Sequence, residues 1–224
     1  MALVAASFPN AIKARAAAQI AAAPAKPAEI QIPNSPVPAR VLVQSPAETD
    51  TESQIICLFA SAPENTLHGS LVEINEKLAS LLDKIRKPAL FRGDLGESVL
   101  LSPPAGSFSA KKLLIIGLGD SESFTPQRLE LVGSIVYNES NRLGVAHPFF
   151  APTILDRGVN KFATGEVSEA FMIGVLRTAR TEKLLEESGA SKGRIIRDVT
   201  FLAGSAHAAD TKRGIERAIA TAGN

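Results

Sequence analysis

Tryptophan is absent from the 224 residues, tyrosine occurs once, and aromatic residues of all kinds make up only 5%. A chain this poor in aromatics must build its core from aliphatic side chains, and 45% hydrophobic residues supply enough of them. Cysteine also occurs once, at Cys57, which excludes an internal disulfide and any multi-thiolate zinc pattern. Cys57 lies in the apolar run QIICLFA and reads as a buried, inert thiol rather than a nucleophile. The net charge of +1 is too small for a field that gathers nucleic acid or an acidic membrane. No stretch approaches the ~18–20 continuous apolar residues of a membrane span. The three histidines, His68, His147 and His207, stand far apart and in no ligand spacing.

Acidic residues are missing from the first 28 positions, which hold thirteen alanines and the cations Lys13, Arg15 and Lys26. A secretory signal places its positive charge before the apolar stretch, whereas here Ala2–Phe8 comes first. Organellar transit peptides are likewise acid-poor, but they are richer in serine and arginine. A cytoplasmic location is therefore expected, with a transit peptide in residues 1–28 as the minor alternative. The alanine-rich stretch reads as partly helical over Asn10–Ala23. Prolines at 24, 27, 33, 36 and 38 make Pro24–Pro38 an extended spacer, since each ring fixes φ and removes a donor. The expected division is a tail and linker over 1–39 and one domain over 40–224, starting near Arg40.

Within that domain, Val37–Gln44, Gln54–Ala60 and Glu97–Ser102 read as strands. Lys112–Gly119 is apolar without alternation, the pattern of a central strand covered on both faces. Val145–Ala151 is a further strand, though Pro148 inside it argues for an edge or a bulge. Leu71, Ile74, Leu78, Leu81, Leu82 and Ile85 recur at spacings of three and four, predicting one amphipathic helix over Leu71–Ile85 that ends before Pro88. Thr125 is placed to cap a helix whose first residue is Pro126 and which stops at Gly144. Gly165–Ser188 reads as a long helix, Arg194–Ala203 as the last strand and Ala209–Ala222 as the last helix. Strands and helices alternate from residue 97 onward, which predicts an α/β fold with a mixed, mostly parallel sheet between helices in three layers.

Gly117–Leu118–Gly119 is the strongest local signal, because it joins a strand to a helix as dinucleotide-binding turns do. The third glycine of that pattern would fall at Glu122, and Asp120 adds a second negative charge where a phosphate would sit. A structural turn is the better reading. Gly117, Gly119, Asp120 and Thr125 are kept as weak candidates for a ligand cleft at the strand ends. Ser205 and His207 lack any nucleophile-elbow context. The cations Lys192, Arg194, Arg197, Lys212, Arg213 and Arg217 lack interleaved aromatics and are diluted by Asp198, Asp210 and Glu216, so a nucleic-acid partner is not expected.

Two blocks, KKLLIIGLGDSESFTPQRLELVGS and SEAFMIGVLRTARTEKLL, resemble the N-terminal domain of the cytosol-type leucyl aminopeptidases. IRDVTFLAG followed by TKRGIERAIATA looks like that domain's last strand and the start of its connecting helix. Phe171, Gly174 and Leu176 fill the family's pattern of an aromatic, a small residue and a further apolar position. The resemblance covers Val41–Asn224 and implies a macro-domain-like fold. It also implies that the two divalent metals and the catalytic residues belong to a second, C-terminal domain. That domain's NTDAEGR signature is absent here. No catalytic residue, metal ligand or cofactor is therefore expected in this chain, nor aminopeptidase activity from it alone. The implied role is assembly or regulation, through self-association or through full-length aminopeptidase subunits. The alternatives are a part of an active metallo-aminopeptidase that removes N-terminal residues from peptides, and a macro-like binder of ADP-ribose or nucleotides.

Overall fold

A computed structural model describes residues 28–32, 35–61 and 67–222; the alanine-rich stretch expected to be partly helical lies outside them. In chain order the elements are β1 (Ala28–Ile32), β2 (Ala39–Val43), β3 (Ser53–Leu58), α1 (Gly69–Lys77), α2 (Leu81–Arg86), β4 (Ser98–Leu101), β5 (Lys112–Gly117), α3 (Arg128–Leu143), β6 (Phe149–Ala151), α4 (Thr164–Glu187), β7 (Val199–Ala203) and α5 (Ala208–Ala222). A short 3-10 turn, Leu155–Arg157, follows β6. The strands form one sheet in the order β1-β2-β7-β6-β3-β5-β4. β2, β7, β6, β3 and β5 run parallel, and β1 and β4 close the two edges antiparallel. Helices cover both faces, so the expected three-layer α/β sandwich with a mixed, mostly parallel sheet is what the chain adopts.

The two sides of the sheet bury different sets of side chains. Ile55, Cys57, Leu114 and Ile116 point toward α3, α4 and α5, while Ile56, Leu58, Leu113 and Ile115 point toward α1 and α2. Aromatics are few but concentrated. Phe150 of β6 stacks on Phe171 of α4 at 3.7 Å between centroids, and Phe201 of β7 meets both rings edge-on. Edge-on and offset ring pairs add ~0.5–1.5 kcal/mol beyond their burial, so this trio fixes α4 over the middle of the sheet.

The helical layer closes on glycine. A Cβ at Gly174 of α4 would lie 2.0 Å from the Glu130 carbonyl oxygen of α3, and one at Gly133 would lie 2.1 Å from that of Phe171. On the other side of α4, a Cβ at Gly214 of α5 would lie 2.0 Å from the Gly165 carbonyl oxygen. Backbone therefore touches backbone at both crossings.

The structure departs from the sequence reading in five places. The spacer expected over Pro24–Pro38 contains β1, so the sheet begins at Ala28 rather than near Arg40. Its partners are supplied by β2, with Ile30 opposite Val41. The single helix expected over Leu71–Ile85 is two, broken where Ala79 and Ser80 take φ of 51° and 60°. Asn75 accounts for the break: its Oδ1 accepts from the Leu82 N–H and its Nδ2 donates to Asp83, starting α2 afresh. β5 is buried on both faces as expected, yet it lies one place in from the edge. β6, expected at an edge because of Pro148, is the middle strand. Pro148 precedes it and loses only a donor, while its carbonyl still accepts from Thr200 at 3.0 Å. Finally, α3 starts at Arg128 with Gln127 at the cap position and no side-chain cap bond. Thr125 contributes its carbonyl oxygen to the Arg128 N–H instead of its hydroxyl.

Candidate functional site

Parallel strands all end on one side of their sheet, and ligands of open α/β folds sit in the crevice outside those carboxyl ends. Here that crevice lies beyond β2, β7 and β6, as a cleft of about 580 Å³. Its floor is apolar, formed by Ala151, Phe201 and Leu202. Its walls come from Pro46 after β2, Pro152–Asp156 after β6, Ser70 of α1, Thr164, Val167 and Ser168 at the start of α4, His207 just before α5 and Thr211 of α5.

Two hydroxyls of the cleft, those of Thr153 and Ser168, are committed to the backbone. Thr153 is held at a φ of 52°, and its Oγ1 accepts from the Cys57 N–H at 3.1 Å and donates to the Cys57 carbonyl at 2.6 Å. It thereby extends the β3–β6 ladder past the end of β6. Ser168 donates to the Thr211 carbonyl at 3.0 Å, tying α4 to α5.

Both helix starts beside the cleft are occupied by carboxylates of the chain itself. Asp210 accepts from the Gly165 N–H at 2.7 Å and from Thr164 Oγ1 at 3.1 Å. The backbone bond from Gly165 does most to hold its carboxyl below the usual range, against a modest desolvation. Asp156 accepts from the Ser70 hydroxyl at the start of α1. Burial dominates there and raises its carboxyl despite that bond and those from the Ser70 and Leu71 amides. Asp156 is the only formally charged side chain among the described residues that line the cleft.

The four candidates from the sequence lie elsewhere. Gly117 and Gly119 sit against the Gly93–Leu95 loop: a Cβ on Gly117 would fall 2.0 Å from the Asp94 carbonyl oxygen, and the Gly119 N–H donates to Gly93. Arg128 seals the turn from the far side, donating to the Leu118 and Asp120 carbonyls at 3.0 Å each. Asp120 accepts from Ser61 Oγ at 2.6 Å, which, with the Glu122 N–H, holds its carboxyl below the usual range. The nearby cradle of consecutive amides at Arg92, Gly93 and Asp94 is filled by one oxygen of Glu97, at 2.9, 2.7 and 3.1 Å. Thr125 borders a separate hollow of about 390 Å³ shared with Glu130, Glu166 and Glu169. None of the four lines the large cleft.

The other groups weighed in the sequence are dispersed. Cys57 is buried, and burial pushes its thiol far up. Ser205 and His207 are exposed. Arg213 pairs with Asp210, Arg217 with Glu169 and Lys212 with Glu216, so these C-terminal cations face their own acids. Among the described residues no group of three or more His, Cys, Asp or Glu side chains could hold a metal ion. A two-metal centre therefore does not fit them. No described helix is long and apolar enough to cross a membrane. The cleft residues escaped the sequence reading because they come from six separate segments. The available signal was positional: Asp156 and His207 each follow a parallel strand at its carboxyl end.

Sheet, layers and cleft define the class as a macro-like α/β domain. An Oceanobacillus iheyensis macrodomain with ADP superposes on 87% of this chain and 98% of its own, with a TM-score of 0.54 and 13% identity. A tomato leucine aminopeptidase mutant superposes on 86% of this chain and 37% of its own, with a TM-score of 0.60 and 18% identity. Residues 55–178 match the cytosol aminopeptidase family, N-terminal domain, and the chain belongs to that family. The protein named Probable cytosol aminopeptidase of Microcystis aeruginosa is 26% identical over 140 residues. That match takes in 59% of this chain and 27% of the relative, so the chain spans about a quarter of the relative's length.

Proposed function

We propose that this chain is a non-catalytic N-terminal domain of a leucyl aminopeptidase that acts in the assembly or regulation of oligomers. Its partners would be further copies of itself or full-length aminopeptidase subunits in the cytoplasm. The observation that carries the reading is an apolar surface along edge strand β4. Leu100 pairs with Leu114, whose side chain lies on the α3 side of the sheet, so Leu100 faces that side too and remains exposed. Leu131 of α3 is also exposed and lies 3.5 Å from the Cβ position of Gly96, next to exposed Leu95. Exposed leucines beside an unpaired strand edge mark an association surface.

Light scattering should show association of the wild type and its loss in a Leu100→Lys/Leu131→Lys variant. A strictly monomeric wild type that captures no full-length aminopeptidase would refute the proposal. The cofactor reading follows the same division: the two divalent metals of the family would be held by residues outside those described here. Purified protein with added Mn²⁺ or Zn²⁺ should not hydrolyse a leucyl chromogenic amide. Turnover abolished by a chelator would favour the second reading, part of an active metallo-aminopeptidase, which the relative's name supports. The third reading, a binder of ADP-ribose or nucleotides, is supported by macrodomain neighbours carrying ADP. The carboxylates already seated at both helix starts and in the 92–94 amide cradle count against it.

A further inference from the structure

We infer that the cleft beyond β2, β7 and β6 binds a small apolar organic cation, an aliphatic or aryl-alkyl amine, with Asp156 as its counter-charge. This goes beyond the assembly reading and does not depend on it. A cleft of about 580 Å³ is within the range of drug-sized ligand sites, which are largely apolar with a few fixed polar groups. The floor of Ala151, Phe201 and Leu202 supplies the apolar part.

Charge decides the class. A phosphate needs a cation or free backbone donors. No lysine or arginine is among the described lining residues. The donors at the starts of α1 and α4 already serve Asp156 and Asp210. An anion entering the cleft would therefore meet a carboxylate at close range and find no unoccupied donor cluster. An ammonium meets the reverse situation. Asp156 accepts from the Ser70 hydroxyl and from the Ser70 and Leu71 amides, which leaves one of the about four acceptor positions of an ionised carboxylate for the ammonium. Ala151, Phe201 and Leu202 line the same cleft, and beside apolar side chains Coulomb attraction is screened less than in water.

A charge series on one skeleton tests this: 2-phenylethylamine, 2-phenylethanol and phenylacetate, with ADP-ribose as the phosphate probe. Each is titrated into the isotopically labelled protein while amide shifts of residues 151–156 and 203–211 are followed. The amine should bind at least tenfold more tightly than phenylacetate, with the alcohol between them, and ADP-ribose should leave these amides unmoved. Asp156→Asn should bring the amine to the affinity of the alcohol while leaving the alcohol unchanged. Ala203→Trp should abolish both by filling the cleft. Tighter binding of phenylacetate or ADP-ribose than of the amine overturns the inference, as does a series with no charge preference or shifts confined to another surface. If Asp156→Asn does not fold, the wild-type series alone decides.

Discussion

Replacing Gly174 by alanine sets two effects against each other, and the structure says which one wins. In an isolated helix the change is favourable by ~1 kcal/mol, because alanine is the better helix former. In this protein the new methyl would lie 2.0 Å from the Glu130 carbonyl oxygen and 2.8 Å from its carbon, whereas ordinary contact begins near 3.4 Å. Both atoms are backbone, so no side chain can swing aside. α3 and α4 must part by on the order of 1 Å along a closely packed seam. Overpacking costs ~1–3 kcal/mol, and a backbone clash belongs at or above the top of that range. The net expectation is a loss of about 2 kcal/mol, or roughly 4–8 °C in melting temperature for a chain of this size. Gly133→Ala strains the same crossing from the other side, where its methyl would meet the Phe171 oxygen. The double variant should therefore lose less than the sum of the two, since helices already parted for one methyl accommodate the second. Thermal and urea denaturation followed by circular dichroism read both results. A Gly174→Ala variant as stable as wild type, or more stable, would show that the helices do not meet backbone to backbone.

Asp210→Asn should cost about 1 kcal/mol at neutral pH by weakening the start of α4. The sign of its pH dependence follows from the lowered carboxyl: the contribution is present above the unfolded value near 4 and disappears as pH falls through the lower folded value. Wild type and variant should therefore converge in acid, and a gap that widened below pH 4 would contradict the capping role. Cys57 should remain unmodified by Ellman's reagent in the native protein and react with one equivalent in guanidinium, because burial disfavours the thiolate. Fast labelling without denaturant would show that the centre of the sheet opens to solvent.

Most of the elements were readable in advance because their signals are local. β3 from Ile55 and β5 from Leu113 are apolar and buried, and α3 stops at the glycine that ends its apolar periodicity. The errors arose where a distant or non-periodic interaction decides. Leu71–Ile85 keeps its helical spacing through the break, because Asn75 ends α1 through side-chain bonds that a hydrophobic period cannot register. β1 exposes Ala28, Glu29 and Gln31 and is bracketed by prolines, so only its pairing with β2 makes it a strand. The Gly117 turn had the right local form for a ligand site. What closes it is the Gly93–Asp94 backbone, which comes from another part of the chain and is held by its near neighbour Glu97. The cleft was illegible for the same reason, since strand order decides which loops become neighbours, and strand order is not written in any one segment.

That assembly from scattered segments gives the cleft a property unlike that of a site carried on one loop. Its lining runs from Val43 to Thr211 and draws on both layers of helices as well as the sheet. No partly folded form lacking β2, β6 or α5 presents it. An occupant would act as a reporter of complete folding, and its binding free energy, ~2.7 kcal/mol at 100 times the dissociation constant, would be added to global unfolding. Amide exchange should then slow together in β2, β6 and α5, far apart along the chain, rather than at the contact residues alone.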